Sequence, residues 1–267
     1  MNRITSDPLD RSHLPVDEWA LRETGFDPSI QGRSETLFTV GNGYLGMRGN
    51  MEEGRDGHLN GTFINGFHET WPIRHAEEAY GFARVGQTIV NVPDAKVVRL
   101  YIDDEPLVVS EAELLAYSRV LDFRDGVLVR ELEWRTPAGK RVRVVSRRMV
   151  SFTDRHLAAI EYEVTLLDGD ATMLISSQIL NRQDGVDEYT SANGASAFDP
   201  RKAGTFSERV LQPALRRESG ARHVLGYRTT NSGMTIACGA EHTLLTCLLY
   251  TSPSPRDLST SRMPSSA

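Results

Sequence analysis

Residues 41–46 read Gly-Asn-Gly-Tyr-Leu-Gly, the G-x-G-x-x-G spacing that lets a backbone close around a pyrophosphate. That chemistry needs a buried strand before the glycines and a helix directly after them, whose N-terminal amides hold the phosphate. The short apolar stretch Thr36 to Val40 predicts the strand. The helix is not supported. Gly49, Gly54 and Gly57 follow within eleven residues, and each glycine inside a helix costs about 1 kcal/mol relative to alanine. Glu69 stands near the place of a ribose-binding acid, yet Asn60-Gly61 and Asn65-Gly66 around it signal loop or hairpin. The glycines therefore predict a turn between strands, with positive φ or close backbone approach, and Gly46 is expected to resist a Cβ. Arg48 in the same stretch is expected to be oriented by a carboxylate, Glu53 being the first candidate.

Paired acids could act as general acid and base. Glu52-Glu53, Glu77-Glu78 and Asp103-Asp104 are the adjacent ones. Neighbours in a strand point to opposite faces, so adjacency does not make a working pair. Solvated surface is the expected state of each, with Glu53 the exception if it pairs with Arg48.

His68-Glu69-Thr70-Trp71-Pro72, followed by His75, could hold a metal or a sugar. Two histidines seven apart with one acid do not match a zinc spacing, and no cysteine supports them, so no metal is expected. A loop with one aromatic ring and polar tips suits stacking on a sugar face. The competing expectation is Trp71 packed beneath its own loop. Asn42, Arg48, Glu53, His68, Glu69 and Trp71 are thus the candidates for a substrate-facing loop. Arg147 and Arg148 could contact a phosphate, though a surface or interdomain ion pair fits them better. No serine lies in a G-x-S-x-G elbow. An aldose-epimerase-like site would need a histidine and a glutamate on one sheet face. His156 and Glu161 are five apart and cannot share a face of one regular strand.

The elements that would position these residues have a period of two. In Gly126 to Thr136, Leu128, Leu132 and Trp134 share a face that Arg130 interrupts, while Glu131, Glu133 and Arg135 face the other way. Arg141 to Val150 and Leu157 to Leu167 alternate likewise, and further strands are expected at Val97 to Ile102 and Thr172 to Ile179. Turn signals separate them, as at Asp103-Asp104-Glu105-Pro106 and Pro137-Ala138-Gly139. This is the pattern of a mainly β, antiparallel sandwich with few short helices. Asp17 to Glu23 is expected as a short helix or arm carrying Trp19, Asn181 to Arg201 as an excursion loop, and strands resume near His223.

Composition sets the outer limits. The chain has 267 residues, 39% hydrophobic and 25% charged, with a net charge of -6 and no dense basic stripe. That argues against nucleic-acid and anionic-membrane partners. Cys238 and Cys247 form no metal-type cluster. The first residues hold no apolar signal core, and no run reaches membrane-spanning length, so a cytoplasmic protein is expected.

Several of these pieces together resemble a family. Phe38, Gly41 to Gly46, Arg48-Gly49 and Glu52-Glu53 are similar to the F-x-x-G-N-G-x-x-G-x-R-G-x-x-E-E signature near the start of glycoside hydrolase family 65. Gly61 to Phe67, Asn91-Val92-Pro93, Val145 to Phe152 and His156 to Tyr162 continue the resemblance in order. It implies a large β-sandwich of the galactose-mutarotase-like kind. It also implies a catalytic (α/α)6 barrel elsewhere in the parent enzyme, carrying the general acid and the phosphate pocket. The implied substrate is an α-linked glucose disaccharide, attacked by inorganic phosphate or by water with inversion. No cofactor is implied, no catalytic residue falls in this chain, and a homodimer is among the expected assemblies. The alternative is a stand-alone carbohydrate-binding sandwich. The segment LLYTSPSPRDLSTSRMPSSA resembles translated sequencing-adaptor sequence. The expected organisation is therefore a flexible lead at 1–16, the sandwich at 17–246, and a non-native tail at 247–267.

Overall fold

Leu128, Arg130, Leu132 and Trp134 all point inward from one strand, and the sheets are arranged around that face. The computed structural model describes residues 7, 9–54, 61–73, 75, 77, 79–181 and 210–246. In chain order these form β1 (Ala20–Thr24), α1 (Gln31–Leu37), β2 (Val40–Gly41), β3 (Leu45–Met47), β4 (Thr62–Ile64), β5 (His68–Pro72) and β6 (Val85–Ile89). There follow β7 (Asp94–Ile102), β8 (Glu105–Pro106), β9 (Glu113–Asp122), β10 (Val127–Arg135), β11 (Arg141–Val150) and β12 (Ala158–Leu166). The last are β13 (Met173–Leu180), β14 (Leu211–Ser219), β15 (Arg222–Thr229) and β16 (Thr235–Glu241).

Every strand pairing among the described residues is antiparallel. The largest sheet runs β1-β9-β10-β11-β12, and smaller sheets run β13-β7-β8, β14-β15-β16, β2-β3-β4 and β5-β6. Leu100 and Ile102 of β7, with Leu107 and Val109, pack on Leu132, Trp134, Val142 and Val144 of the large sheet. Two sheets closing over such a layer make a sandwich. Further along the same face Leu128 and Val150 meet Leu14, Phe38, Val40, Leu45 and Met47, a second apolar cluster. Fully burying each aliphatic side chain contributes about 1.5–3 kcal/mol. The mainly β, antiparallel sandwich expected from period-two alternation is the fold observed.

Three local expectations are corrected. Asp17 to Glu23 does not form a helix: Ala20–Thr24 pairs with β9, from Ala20↔Asp122 to Thr24↔Ser118. Thr36-Leu37 ends a helix rather than starting a strand. Asp27 caps a short 3-10 turn by accepting from the Ser29 amide (2.8 Å), Pro28 occupies its first position, and α1 continues from it. Strands resume at Leu211, before His223. Leu14, near the end of the stretch expected as a flexible lead, is fully buried. The excursion expected at Asn181 to Arg201 and the tail at 247–267 lie, apart from Asn181, outside the described residues.

Candidate functional site

The glycine stretch is a strand-to-strand turn. β2 and β3 pair as Val40↔Met47 and Gly41↔Gly46, and Gly43 between them has φ of 84°. Asn42 organises the turn: its Oδ1 accepts from the amides of Tyr44 (2.9 Å) and Leu45 (2.8 Å). Its Nδ2 donates to the carbonyls of Ser151 (2.6 Å) and Arg155 (3.2 Å), fastening the turn to the β11–β12 connection. Within the turn a Cβ on Gly41 would lie 3.1 Å from the Leu45 carbonyl oxygen, a close approach of the kind expected, and tighter ones fall just outside it. A Cβ on Gly49 would lie 2.7 Å from the Phe38 carbonyl oxygen, and one on Gly61 2.6 Å from Arg48 Cδ. A Cβ on Gly46 would meet nothing within 4 Å, so the expectation for that residue is corrected.

From Gly49 the chain crosses the inner face of the large sheet and lays down a layer of charge. Arg119, Arg130 and Arg148 project from β9, β10 and β11, and all three are buried. Arg119 and Arg130 are direct cross-strand partners, a like-charge pair that must be neutralised. Glu53 accepts two 2.7 Å bonds from the Arg130 guanidinium, and the Tyr162 hydroxyl donates to it at 2.7 Å. Glu52 accepts from Arg148 and from Ser146 (3.0 Å), and also lies 3.0 Å from Arg130 Nη2. Arg119 is held by Glu23 (2.7 Å) and donates to the Gly49 carbonyl (2.8 Å). Arg148 donates to the carbonyls of Arg48 (2.9 Å) and Asn50 (2.7 Å). Three arginines thus face three glutamates, and the buried charges cancel.

This corrects two expectations. Glu52 and Glu53 are interior rather than solvated, and the partner of Glu53 is Arg130, not Arg48. Arg48 lies 3.5 Å from Glu35 on α1 and donates to the Gly32 carbonyl (3.2 Å). Arg147 and Arg148 divide as strand neighbours must: Arg147 makes an exposed pair with Glu161 (2.9 Å), while Arg148 turns inward. Of the other acid pairs, Glu77, Asp103 and Asp104 are exposed, and Glu78 lies outside the described residues.

The electrostatics fit anchoring rather than proton transfer. Burial pushes the Glu52 carboxyl up, but the charges of Arg148 and Arg130 and the Arg148 hydrogen bond outweigh it and hold it down at about 2. An acid this strongly ionised has no proton to give a glycosidic oxygen at neutral pH. Burial, then the Glu53 charge, keep the Tyr162 hydroxyl protonated well above its ordinary range.

His68, Glu69 and Trp71 do not lie on a loop. They belong to β5, whose hairpin with β6 runs from His68↔Ile89 to Pro72↔Val85. Glu69 is buried and accepts from the amides of Thr70 (2.8 Å), Asn231 (3.0 Å) and Ser232 (2.7 Å). Burial raises its carboxyl, and those backbone donors lower it further, for a net depression. Ser232 Oγ donates to the His68 carbonyl (2.7 Å) and Asn231 Nδ2 to the Thr70 carbonyl (2.9 Å), completing the clamp. The Trp71 ring packs on Gly86, where an added Cβ would sit 2.5 Å away. Nδ1 of His68 bonds the Gly66 carbonyl at 3.0 Å, and Nε2 of His75 bonds that of Ala83 at 2.8 Å. Among the described residues no group of three or more His, Cys, Asp or Glu could hold a metal. No described helix is long and apolar enough to cross a membrane.

The sandwich has a known counterpart. Residues 21–262 match the model for the N-terminal domain of glycosyl hydrolase family 65. The chain belongs to glycosyl hydrolase family 65. It is 40% identical over 229 residues to an uncharacterized glycosyl hydrolase of Mycobacterium tuberculosis, covering 86% of this chain and 28% of that protein. It is 35% identical over 235 residues to the α,α-trehalose phosphorylase of Thermoanaerobacter brockii, covering 86% of this chain and 29% of that enzyme. A solved structure of a candidate kojibiose phosphorylase from the human microbiome superposes with a TM-score of 0.69 at 20% identity. That match covers 85% of this chain and 28% of the other. The chain therefore spans less than a third of the length of these family 65 proteins.

Six residues proposed from sequence fall at three separate places in this family 65 domain. Asn42 and Arg48 flank the glycine turn, Glu53 lies in the charge layer, and His68, Glu69 and Trp71 share a hairpin strand. The arginines that complete the layer were not among the candidates. One signal pointed to them: Arg130 interrupts an apolar face between Leu128 and Leu132, where a charge must find a partner.

Proposed function

We propose that this chain is the non-catalytic β-sandwich of an enzyme that cleaves an α-linked glucose disaccharide, with inorganic phosphate as co-substrate in the phosphorylase case. The observation that carries the reading is the state of its interior acids: Glu52 and Glu53 are locked in arginine pairs. Such groups stabilise a scaffold and cannot serve as a free acid and base. The family 65 relatives that act as trehalose and kojibiose phosphorylases favour the substrate class. We assign the general acid and the phosphate pocket to a helical barrel of the parent enzyme, and its setting to the cytoplasm. A stand-alone carbohydrate-binding role loses its aromatic platform, because the Trp71 ring is packed against Gly86.

The test is an assay of the purified chain on trehalose, kojibiose and maltose, with and without phosphate. Neither glucose nor glucose 1-phosphate should be released. Reproducible turnover abolished by Glu52→Gln or Glu53→Gln, in variants shown to remain folded, would overturn the reading.

A further inference from the structure

The ion pairs of the charge layer leave one buried donor over. Arg148 gives Nη1 to the Arg48 carbonyl (2.9 Å), and Nη2 to the Asn50 carbonyl (2.7 Å) and to Glu52. Its Nε is buried and has no hydrogen-bond partner among the described residues. The neighbouring arginines differ. Arg119 Nε donates to Glu23 at 2.9 Å. Arg130 Nε reaches Ser146 Oγ, though only at 3.4 Å, longer than an ordinary N–H···O bond. A guanidinium N–H taken out of water without an acceptor is costly, so the fold must offer Arg148 something.

A cavity lies at the same place. Its floor is Leu128 and Arg130 of β10 with Ser146 and Arg148 of β11, cross-strand neighbours on the inner face of the large sheet. Its roof is the chain from Gly49 to Glu52. The volume is about 10 Å³, and one water molecule needs roughly 10–15 Å³ on that measure. Cavities of this size stay dry when their walls are apolar. Here guanidinium groups, a hydroxyl and a carboxylate line the wall.

We infer that this cavity binds one internal water molecule, which accepts from Arg148 Nε and donates to Ser146 Oγ and the Glu52 carboxylate. Three such bonds are the usual number for a buried water. The two acceptors already face the cavity and each other, since Ser146 Oγ donates to Glu52 at 3.0 Å. A hydroxyl that donates once still has lone pairs to accept with. A neutral occupant also fits the charge. Arg119, Arg130 and Arg148 are already matched by Glu23, Glu52 and Glu53. A bound halide would add a buried charge that nothing offsets. The water thus completes the layer by serving the one arginine donor that the glutamates do not reach. The inference does not depend on the disaccharide reading.

The experiment uses the full 267-residue chain, isotope-labelled for nuclear magnetic resonance. The Arg148 Nε proton is assigned through its own side-chain carbons, so no variant is needed to find it. A rotating-frame spectrum should show a cross-peak from water to that proton, with the sign of a bound molecule and not of chemical exchange. Its absence would overturn the inference. Ser146→Thr supplies a second measurement, because it adds one methyl group to the cavity wall. With a water bound, the methyl displaces it and strands Arg148 Nε, so the cross-peak disappears and the melting temperature falls. A dry cavity would instead be filled, and a higher melting temperature in Ser146→Thr would overturn the inference. Crystals grown with bromide in place of chloride separate water from an anion. Density for one water within hydrogen-bond distance of Arg148 Nε, without anomalous signal, is the expected result. A bromine peak in the cavity would overturn it.

Discussion

Glu53 grips Arg130 through both carboxylate oxygens, two bonds of 2.7 Å, although the residues lie 77 positions apart in the chain. The pair closes the Arg48–Gly54 segment onto β10. The same segment reaches the opposite sheet, where the Val98 amide donates to the Glu52 carbonyl (2.7 Å). Residues 52 and 53 thus join the two layers of the sandwich through its interior. A charge layer here specifies where the segment lies, because any other placement strands three buried arginines.

Burial, not distance, should decide what such a pair is worth. Arg143 and Glu131 also meet at 2.7 Å, but their side chains are 44% and 46% exposed. Glu53→Gln should cost about 3–5 kcal/mol, the usual loss when one partner of a buried pair is removed. Glu131→Gln should cost under ~1 kcal/mol. Urea unfolding of both variants checks this; equal losses would show that the layer contributes no more than surface pairs do.

Acid should unfold the domain partly through Glu52. Its carboxyl is held at about 2 in the fold, against an ordinary 4.5. A depressed value means the folded state favours the ionised form. That stabilisation is fully present above pH 4.5 and is lost as pH falls toward 2. Across that window it is on the order of 3 kcal/mol. Glu52→Gln should be less stable than the unsubstituted chain at neutral pH and should show a flatter decline below pH 4.5. Parallel stability curves for the two proteins between pH 5 and the acid transition would refute the assignment.

Much of the sandwich was legible because half-buried strands write their faces as alternation. β10, β11 and β12 fall within one or two residues of the stretches where period two was clearest. The charge layer was not legible, for a definable reason. Adjacent acids in a strand point to opposite faces, which makes Glu52-Glu53 read as surface. In the structure they sit in a turn, where both can face inward. Arg130 was visible as an interruption, but nothing local says that its partner lies 77 residues earlier. Arg48 was assigned the wrong glutamate because α1, which carries Glu35, is under two turns long and starts from a cap at Asp27 that was not read as one.

The glycines should separate by geometry rather than by motif position. Gly49→Ala forces a Cβ to 2.7 Å from a backbone oxygen, which cannot yield as a flexible side chain can. A loss of about 1–3 kcal/mol is expected, as for other overpacked sites. Gly43→Ala, at φ of 84°, should lose about 1 kcal/mol. Gly46→Ala has open space and should fall within about 0.5 kcal/mol of the parent. Thermal melts of the three variants rank them. If Gly46→Ala proved the most damaging, a close contact at that residue would have to exist that this turn does not contain.

Glu69 offers the last test, because its carboxylate joins two hairpins distant in sequence. Its two oxygens receive the amides of Thr70, Asn231 and Ser232, and it is buried. In Glu69→Ala the Asn231 and Ser232 amides lose their acceptor; Asn231 is exposed and Ser232 half-buried, so water replaces it in part and the loss should be about 1 kcal/mol. Glu69→Gln keeps the shape and one acceptor oxygen but removes the charge, so it should fall between the parent and alanine. The loss should also be local. Amide hydrogen exchange at Asn231 and Ser232 should accelerate in Glu69→Ala while that of β10 and β11, which lie in a different sheet, changes only in proportion to global stability. Uniform acceleration across all sheets would mean that Glu69 supports the whole sandwich rather than the junction of β5 with the β15–β16 turn.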